Sequence, residues 1–373
     1  MSITLHFFNP ETDYALAADI DSYTPPMPVL AMRSSLSLLP SLYSEPEDAV
    51  LMPDDNQKLI QENNPFARLA EDKKLMLVQP RFLKDFLSKF PITEIRPWGW
   101  NRSLCHWLDS LGVKPEYIPT VDEINVLRKL SHRRLTIPFL RNMEDILNPN
   151  IDIPYEFTNV DEALSFYDTH RNVYYKAPWS SSGRGLLYTE GLERRHIEPW
   201  LKGIIRSQGS VMGEKAYNRS LDCASEWECK DGQAMFLGMS TFITSKRGRY
   251  KSNVVAPQEN ILAYILSKIA VTTPGNNMAE IIERQRLLLE NYVAPFYDGP
   301  VGIDMLVTEE GDLNPCVEIN LRNTMGRVAI DIRQRIAAGN ASDNEINILR
   351  HLTIGGIFSP MSIISKLRDI NSN

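Results

Sequence analysis

The sequence predicts an α/β domain followed by an antiparallel-rich α+β region, and three observations predict it. Residues 1–118 alternate helical stretches (VLAMRSSLSLL, PRFLKDFLSKF, NRSLCHWLDSLGV) with short β-like runs (AVLMP, LMLVQP, TEIRPW), the order of a small doubly wound sheet. Residues 208–256 and 299–322 are instead dominated by β-like runs (GSVMGEKAY, CASEWEC, AMFLGMSTFIT, VGIDMLV, CVEINL), with one long helical stretch, NMAEIIERQRLLLENYV, between them. The chain has 373 residues, and at ~100–200 residues per domain this allows two or three domains with a sizeable core.

Composition narrows the class. Apolar residues are 43% and charged residues 23%, with 19 Gly and 24 Pro, which excludes disordered, collagenous and low-complexity chains. Forty Lys plus Arg against 47 Asp plus Glu leave a net charge of −7, which argues against a nucleic-acid surface, so any anion site must be local. Cys105, Cys223, Cys229 and Cys316 form no CxxC pair and read as reduced structural thiols. The N-terminal stretch MSITLHFFNPETDY carries acid where a secretory signal carries base, and no apolar run approaches the ~18 residues needed to span a bilayer. A cytoplasmic location without membrane partners is the expectation. No Gly-x-Ser-x-Gly elbow or nucleophilic cysteine motif is present.

In chain order, ITLHFF reads as the first strand and NPETDYALA as a turn entering a helix. Asn9, Glu11 and Asp13 then stand where an α/β sheet binds ligands, with helix capping the alternative. His106 sits beside Trp107 in a helical stretch and reads as packing. Residues 118–121 form a proline-punctuated join into a basic helix containing Lys129, His132 and Arg133. PYEFTNVDEALSFYDTHRNVYYKAP reads as strand, helix capped near Asn159 with Glu162 three residues on, and strand. From 327 the segments VAIDIRQRIAAG and NEINILRHL read as helices.

Two constellations carry chemistry. GPVGIDMLVT and NPCVEINLRNTMG, joined by EEGDL, form a hairpin signature. Period two places Glu318, Asn320 and Arg322 on one face and Val317, Ile319 and Leu321 on the other. A turn centred on Gly311 puts Asp304 opposite Glu318, with side chains ~5 Å apart. Carboxylates that close repel unless a cation separates them. Two carboxylates and an amide suit Mg²⁺ or Mn²⁺ better than zinc. A solvated face of an edge hairpin is the alternative. The second constellation is a strand ending at Lys176 and followed by Ser180, Ser181, Ser182, Gly183, Arg184 and Gly185, small residues whose backbone N–H groups can approach phosphate oxygens. A plain surface loop would read the same way. It is neither a Walker A loop nor a Rossmann glycine turn.

In order and spacing these pieces resemble the ATP-grasp superfamily of ATP-dependent carboxylate–amine ligases. The likeness runs over roughly 120–330. It rests on the segment from Ile153-Pro154 to Lys176, the Ser180–Gly185 loop, the acidic hinge SVMGEKAY, Asp222 at the next strand, and the strands VGIDMLV and VEINLR. The resemblance implies two α+β lobes that clamp ATP, over 121–215 and 216–335, preceded by a small Rossmann-like domain at 1–120 and followed by a helical tail at 336–373. It implies that Lys176 contacts the ATP phosphates, that the 180–185 loop covers them, and that Glu214, Lys215 and Ala216 form the adenine hinge. Asp222 would bond the ribose; Asp304, Glu318 and Asn320 would hold Mg²⁺ (or Mn²⁺), and Arg322 would face the transferring phosphoryl group. The upstream basic residue that many members direct at the phosphates has Lys129 and Arg133 as candidates here, with Arg133 preferred. Lys246, Arg247, Arg249 and Tyr250 fall where substrate anions would bind, or form a solvated basic turn.

The implied activity is a ligase that activates a carboxylate as an acyl-phosphate and joins it to an amine, releasing ADP and phosphate. Its partners would be small-molecule or peptide carboxylates and amines, not nucleic acid or membrane, and a homodimer is allowed. A phosphotransferase on the same scaffold and a non-catalytic ATP-binding regulator are the alternatives.

Overall fold

The computed structural model describes residues 3–53, 65–180, 185–245, 248–270, 277–338 and 342–360. They form two compact units: Met1–Asn125 with Ser252–Ala256 and Arg327–Asn373, and Val126–Lys251 with Pro257–Gly326.

The first unit is built on four strands: β1 (Ile3–Phe7), β2 (Ala49–Leu51), β3 (Met76–Val78) and β4 (Ile92–Pro97). They pair in the order β3-β2-β1-β4, and every pair is parallel. Parallel neighbours need crossover connections; Pro65–Asp72 and Leu83–Lys89 supply helices between consecutive strands. Leu5, Phe7, Ala49, Leu51, Ile92 and Ile95 share one core with Leu104 and Leu108 of the helix Arg102–Ser110. That helix is capped by Asn101, whose side chain accepts from Leu104 N at 2.9 Å. Asn9, just beyond β1, donates through Nδ2 to Gly99 O (2.7 Å) and accepts from Gly99 N (3.3 Å), so it ties the carboxyl ends of β1 and β4 together. Glu11 accepts from Arg33 at 2.9 Å, and burial pushes its carboxyl upward against that arginine.

The second unit holds two sheets. The first contains β5 (Tyr155–Phe157), β6 (Val173–Lys176), β7 (Leu186–Tyr188) and β8 (Val211–Lys215) in the order β5-β8-β6-β7, all antiparallel. Its core joins Val173, Tyr175 and Val211 to Ala163, Leu164 and Tyr167 of helix Val160–His170 and to Ile197 and Leu201 of helix Arg194–Gln208. Asn159 caps the first of these helices, accepting from Asp161 N at 2.7 Å, as the spacing predicts.

The second sheet contains β9 (Arg219–Lys230) and β10 (Gln233–Thr244), with β11 (Tyr250–Val254), β12 (Gly299–Thr308) and β13 (Leu313–Asn320) following in the chain. Within it the order is β13-β12-β9-β10, again antiparallel. The β12–β13 turn uses Gly311 at φ +86°, a left-handed conformation that favours glycine. The tail forms the helices Met325–Ala338 and Asp343–Leu352, then the short strands β14 (Thr353–Ile354) and β15 (Ile357–Phe358), the latter pairing with Asn253 and Val254. The four cysteines are free, and burial pushes the thiols of Cys105 and Cys229 up to about 12, which fits structural roles.

Candidate active site

The β12–β13 ladder sets Asp304 directly against Glu318, the expected pair, but reaches it through an irregularity: beside the turn Leu306 pairs with Asn314, and the register shifts between Leu306 and Asp304. Asp304 is half-buried; desolvation first, then the Glu318 and Glu226 carboxylates, hold its carboxyl well above the usual range, opposed by Arg322 and Arg133. The positive charge nearest Glu318 is a guanidinium. Arg133 grips Glu318 with both terminal nitrogens, Nη1 to Oε2 at 2.9 Å and Nη2 to Oε1 at 2.8 Å. Nη2 also donates to Ser180 O (3.0 Å) and Oγ (3.2 Å). A short turn, Arg133–Leu135, presents this arginine, and its backbone N–H donates to Pro178 O at 3.2 Å.

Lys176 ends β6 with its side chain buried and ion-paired to Glu214 on the adjacent β8. Lys215 pairs with Asp152 at 2.5 Å, and the Ala216 N–H donates to Asn172 O at 3.0 Å. Asp222, on β9, accepts from Thr244 Oγ1 at 2.6 Å and from Arg219 at 3.3 Å. Tyr174 stacks on Tyr188 with centroids 4.6 Å apart. Arg133, Lys176, Glu214, Lys215, Asp222, Asp304 and Glu318 all line one cleft that opens to solvent, its apolar walls including Tyr174, Phe242 and Leu306.

Other expected residues stand apart from that lining. β13 ends at Asn320, the last residue laddered to β12, so Arg322 lies two residues beyond the strand. The chain turns after Asn320, and Arg322 folds back to donate to Asn320 Oδ1 (2.8 Å) and Asn323 O (3.0 Å). Gly185 accepts from Ala177 N at 2.8 Å, and Arg249 and Ser245 close a small turn on each other (2.8 and 3.1 Å). Ser181, Ser182, Gly183, Arg184, Lys246 and Arg247 lie outside the described residues. His132 is buried against Trp179, with Nδ1 accepting from Arg134 N at 3.0 Å.

One buried carboxylate was not anticipated. Glu226 lies on β9 two residues from Ala224, which faces Asp304 in the ladder. Its Oε1 accepts from Ser240 Oγ at 2.9 Å and its Oε2 from Thr324 Oγ1 at 2.7 Å. Two glycines make room for it: a Cβ on Gly326 would lie 1.9 Å from Oε1, and one on Gly302 3.1 Å from Oε2. Alternation from Asp222 through residue 224 is the signal that would have found it. Tyr174, Arg219, Phe242 and Thr244, which complete the cleft, carry no comparable signal.

Among the described residues no three His, Cys, Asp or Glu side chains gather as a metal centre. The oxygen donors are the Asp304 carboxylate, the Glu318 carboxylate now held by Arg133, and the Asn320 amide now held by Arg322, an all-oxygen set of the kind a hard divalent cation takes. A desolvated carboxyl destabilised by its neighbours is where added positive charge is favourable. No helix among the described residues is long and apolar enough to cross a membrane.

No family model matches the chain and no curated protein is similar to it at a significant level. Solved structures are similar. The biotin carboxylase domain of 2-oxoglutarate carboxylase from Hydrogenobacter thermophilus superposes with a TM-score of 0.52 at 13% identity, over 94% of this chain and 70% of that one. Biotin carboxylase from Campylobacter jejuni gives 0.52 at 11% identity over 95% and 73%. Pyruvate carboxylase from Rhizobium etli gives 0.51 at 13% over 95% and 29%. These likenesses show the fold, and it is the ATP-grasp fold that the motif order implies.

Proposed function

We propose that this chain is an ATP- and Mg²⁺-dependent carbon–nitrogen ligase, which activates a carboxylate as an acyl-phosphate and couples it to an amine. The observation that carries the reading is the convergence, on one cleft of an ATP-grasp fold, of Lys176, Glu214 and Asp222 with the laddered pair Asp304 and Glu318. The Hydrogenobacter structure is a complex with MgADP, ADP and bicarbonate, and the Campylobacter one a complex with a β,γ-ATP ligand. On this reading nucleotide lies along the cleft in the present chain, within lobes 121–215 and 216–335.

Phosphoryl transfer needs positioning and charge neutralisation more than covalent help. Lys176 supplies an ammonium to the phosphates, partly exchanging Glu214 for them, and the 180–185 loop adds backbone donors. Asp222 has each oxygen already fixed by one donor, which leaves lone pairs oriented for ribose hydroxyls. Glu214, Lys215 and Ala216 form the edge that the base meets, with Tyr174 as an apolar wall. Asp304, Glu318 and Asn320 would hold Mg²⁺, which when bound neutralises phosphate charge. Arg322 stabilises the acyl-phosphate and then the oxyanion formed when the amine attacks. The enzyme is read as cytoplasmic, with small-molecule or peptide substrates, and a homodimer is compatible with it.

ADP release from MgATP, screened with carboxylates crossed against amines, tests the reading. A requirement for both supports the ligase. Release with a stable phosphorylated acceptor selects a phosphotransferase, and silence with intact nucleotide binding selects a regulator.

A further inference from the structure

The position expected to hold the cation is already taken. Glu318 gives both carboxylate oxygens to Arg133 in a two-point fork of 2.9 and 2.8 Å. A fork of this kind uses the well-directed lone pairs of both oxygens, and Mg²⁺ or Mn²⁺ demands oxygens at ~2.0–2.1 Å in near-octahedral geometry. A cation entering alone must therefore displace the guanidinium or sit beside another positive charge. Arg133 has nowhere else to take that charge: it is 7% exposed, its backbone is fixed to Pro178, and Nη2 is shared with Ser180. Its Nε–H is buried and has no partner among the described residues. This is an unmet donor on a residue that lines the cleft. An incoming polyphosphate supplies what both groups lack, acceptors for the guanidinium and a co-ligand for the cation.

We propose that Arg133 and the divalent cation exchange for Glu318, so that the cation takes this carboxylate only when nucleotide phosphate accepts Arg133. Metal and nucleotide then enter as one coupled unit, and free cation is excluded. The proposal rests on the nucleotide reading of the cleft and adds a specificity role for Arg133: it decides which form of the metal is bound. Linkage makes the coupling reciprocal, so nucleotide tightens metal by the same factor that metal tightens nucleotide.

The test titrates the full chain with Mn²⁺ alone and with ADP, following free Mn²⁺ by electron paramagnetic resonance and correcting for Mn–ADP in solution. In the native protein ADP should tighten Mn²⁺ roughly 5- to 150-fold, the usual range of coupling between sites. Arg133→Gln should bind Mn²⁺ alone several-fold more tightly than the native chain, lose affinity for ADP, and lose most of the coupling. Arg133→Lys, which keeps the charge without the fork, should fall between them, and it carries the test if circular dichroism shows that Arg133→Gln does not fold. Glu318→Gln should abolish the Mn²⁺ site in every background. Equal or weaker binding of Mn²⁺ alone by the Arg133 variants overturns the exchange, as does Mn²⁺ binding that survives Glu318→Gln. If ADP fails to tighten Mn²⁺ in any chain while Arg133→Gln still tightens it, the nucleotide reading fails and the competition for Glu318 stands by itself.

Discussion

Gly326→Ala should be costly, although the same change in an exposed helix usually helps. Gly326 is in the first turn of helix Met325–Ala338, where alanine would ordinarily gain about 1 kcal/mol over glycine. Here the new Cβ would lie 1.9 Å from Glu226 Oε1, 2.4 Å from Ser240 Oγ and 2.9 Å from Glu226 Cδ. Glu226 cannot swing clear, because it is 2% exposed and both oxygens are bonded, to Ser240 and Thr324. Relief means breaking a hydrogen bond to a charged group, worth about 1.5–3 kcal/mol, and straining a packed interior by about 1–3 kcal/mol. Set against the helix gain, the net loss is about 1.5–5 kcal/mol. Urea denaturation reads it as a lower midpoint at unchanged slope. In a Glu226→Ala background only Ser240 Oγ still obstructs the Cβ, and this hydroxyl, no longer bonded to Glu226, is free to rotate; the same substitution should then cost about 1 kcal/mol or less, which a double-mutant cycle isolates. A loss below about 1 kcal/mol in the native background, or equal losses in both, would refute the packing argument.

Three further outcomes are expected. Burial, then Arg134, Arg128 and Arg133, hold the His132 imidazole down at about 3. Because the unfolded chain takes up this proton near pH 6.5 and the folded one does not, the stability is whole above pH 6.5. It drains away as pH falls toward 3, at up to about 1.4 kcal/mol per pH unit; His132→Gln should remove about one proton from the slope between pH 6 and 4, and an unchanged slope contradicts this. Lys176→Met should weaken MgADP binding about tenfold or more by calorimetry while the far-ultraviolet spectrum is preserved, and undiminished affinity would remove Lys176 from the phosphates. MgATP at a hundredfold excess over its dissociation constant should stabilise the protein by about 2.7 kcal/mol, and EDTA should abolish most of the thermal shift; equal shifts with and without the metal would undo the cation assignment.

What could be read from the sequence was what local chemistry fixes. The hairpin that pairs Asp304 with Glu318 is legible because local chemistry, a glycine turn between two alternating strands, makes it, whereas the register shift between Leu306 and Asp304 carries no such signal. The Asn159 cap was legible for the same reason. Arg322 lies two residues past the end of β13, so its place beside Asn320 is set by its own hydrogen bond to that side chain and not by the ladder. Glu226 escaped notice because its pocket is assembled from Ser240, Gly302, Thr324 and Gly326, residues that only tertiary structure brings together. Arg133 was chosen as a phosphate ligand on position, and its grip on Glu318, 185 residues away in sequence, is likewise a property of the folded chain. Asn9 reads from sequence as a ligand-binding or capping residue, and its bonds to Gly99 give it a third role, one that depends on β4 lying next to β1.

The central claim, that ATP activates a carboxylate in this cleft, is tested most directly by isotope transfer. The carboxylate of whichever substrate pair supports ADP release is labelled with ¹⁸O, and the phosphate product is analysed by mass. An acyl-phosphate route predicts one ¹⁸O in the phosphate formed during amide synthesis, lost in Glu318→Gln together with turnover. Phosphate carrying only solvent oxygen while amide accumulates would contradict the account.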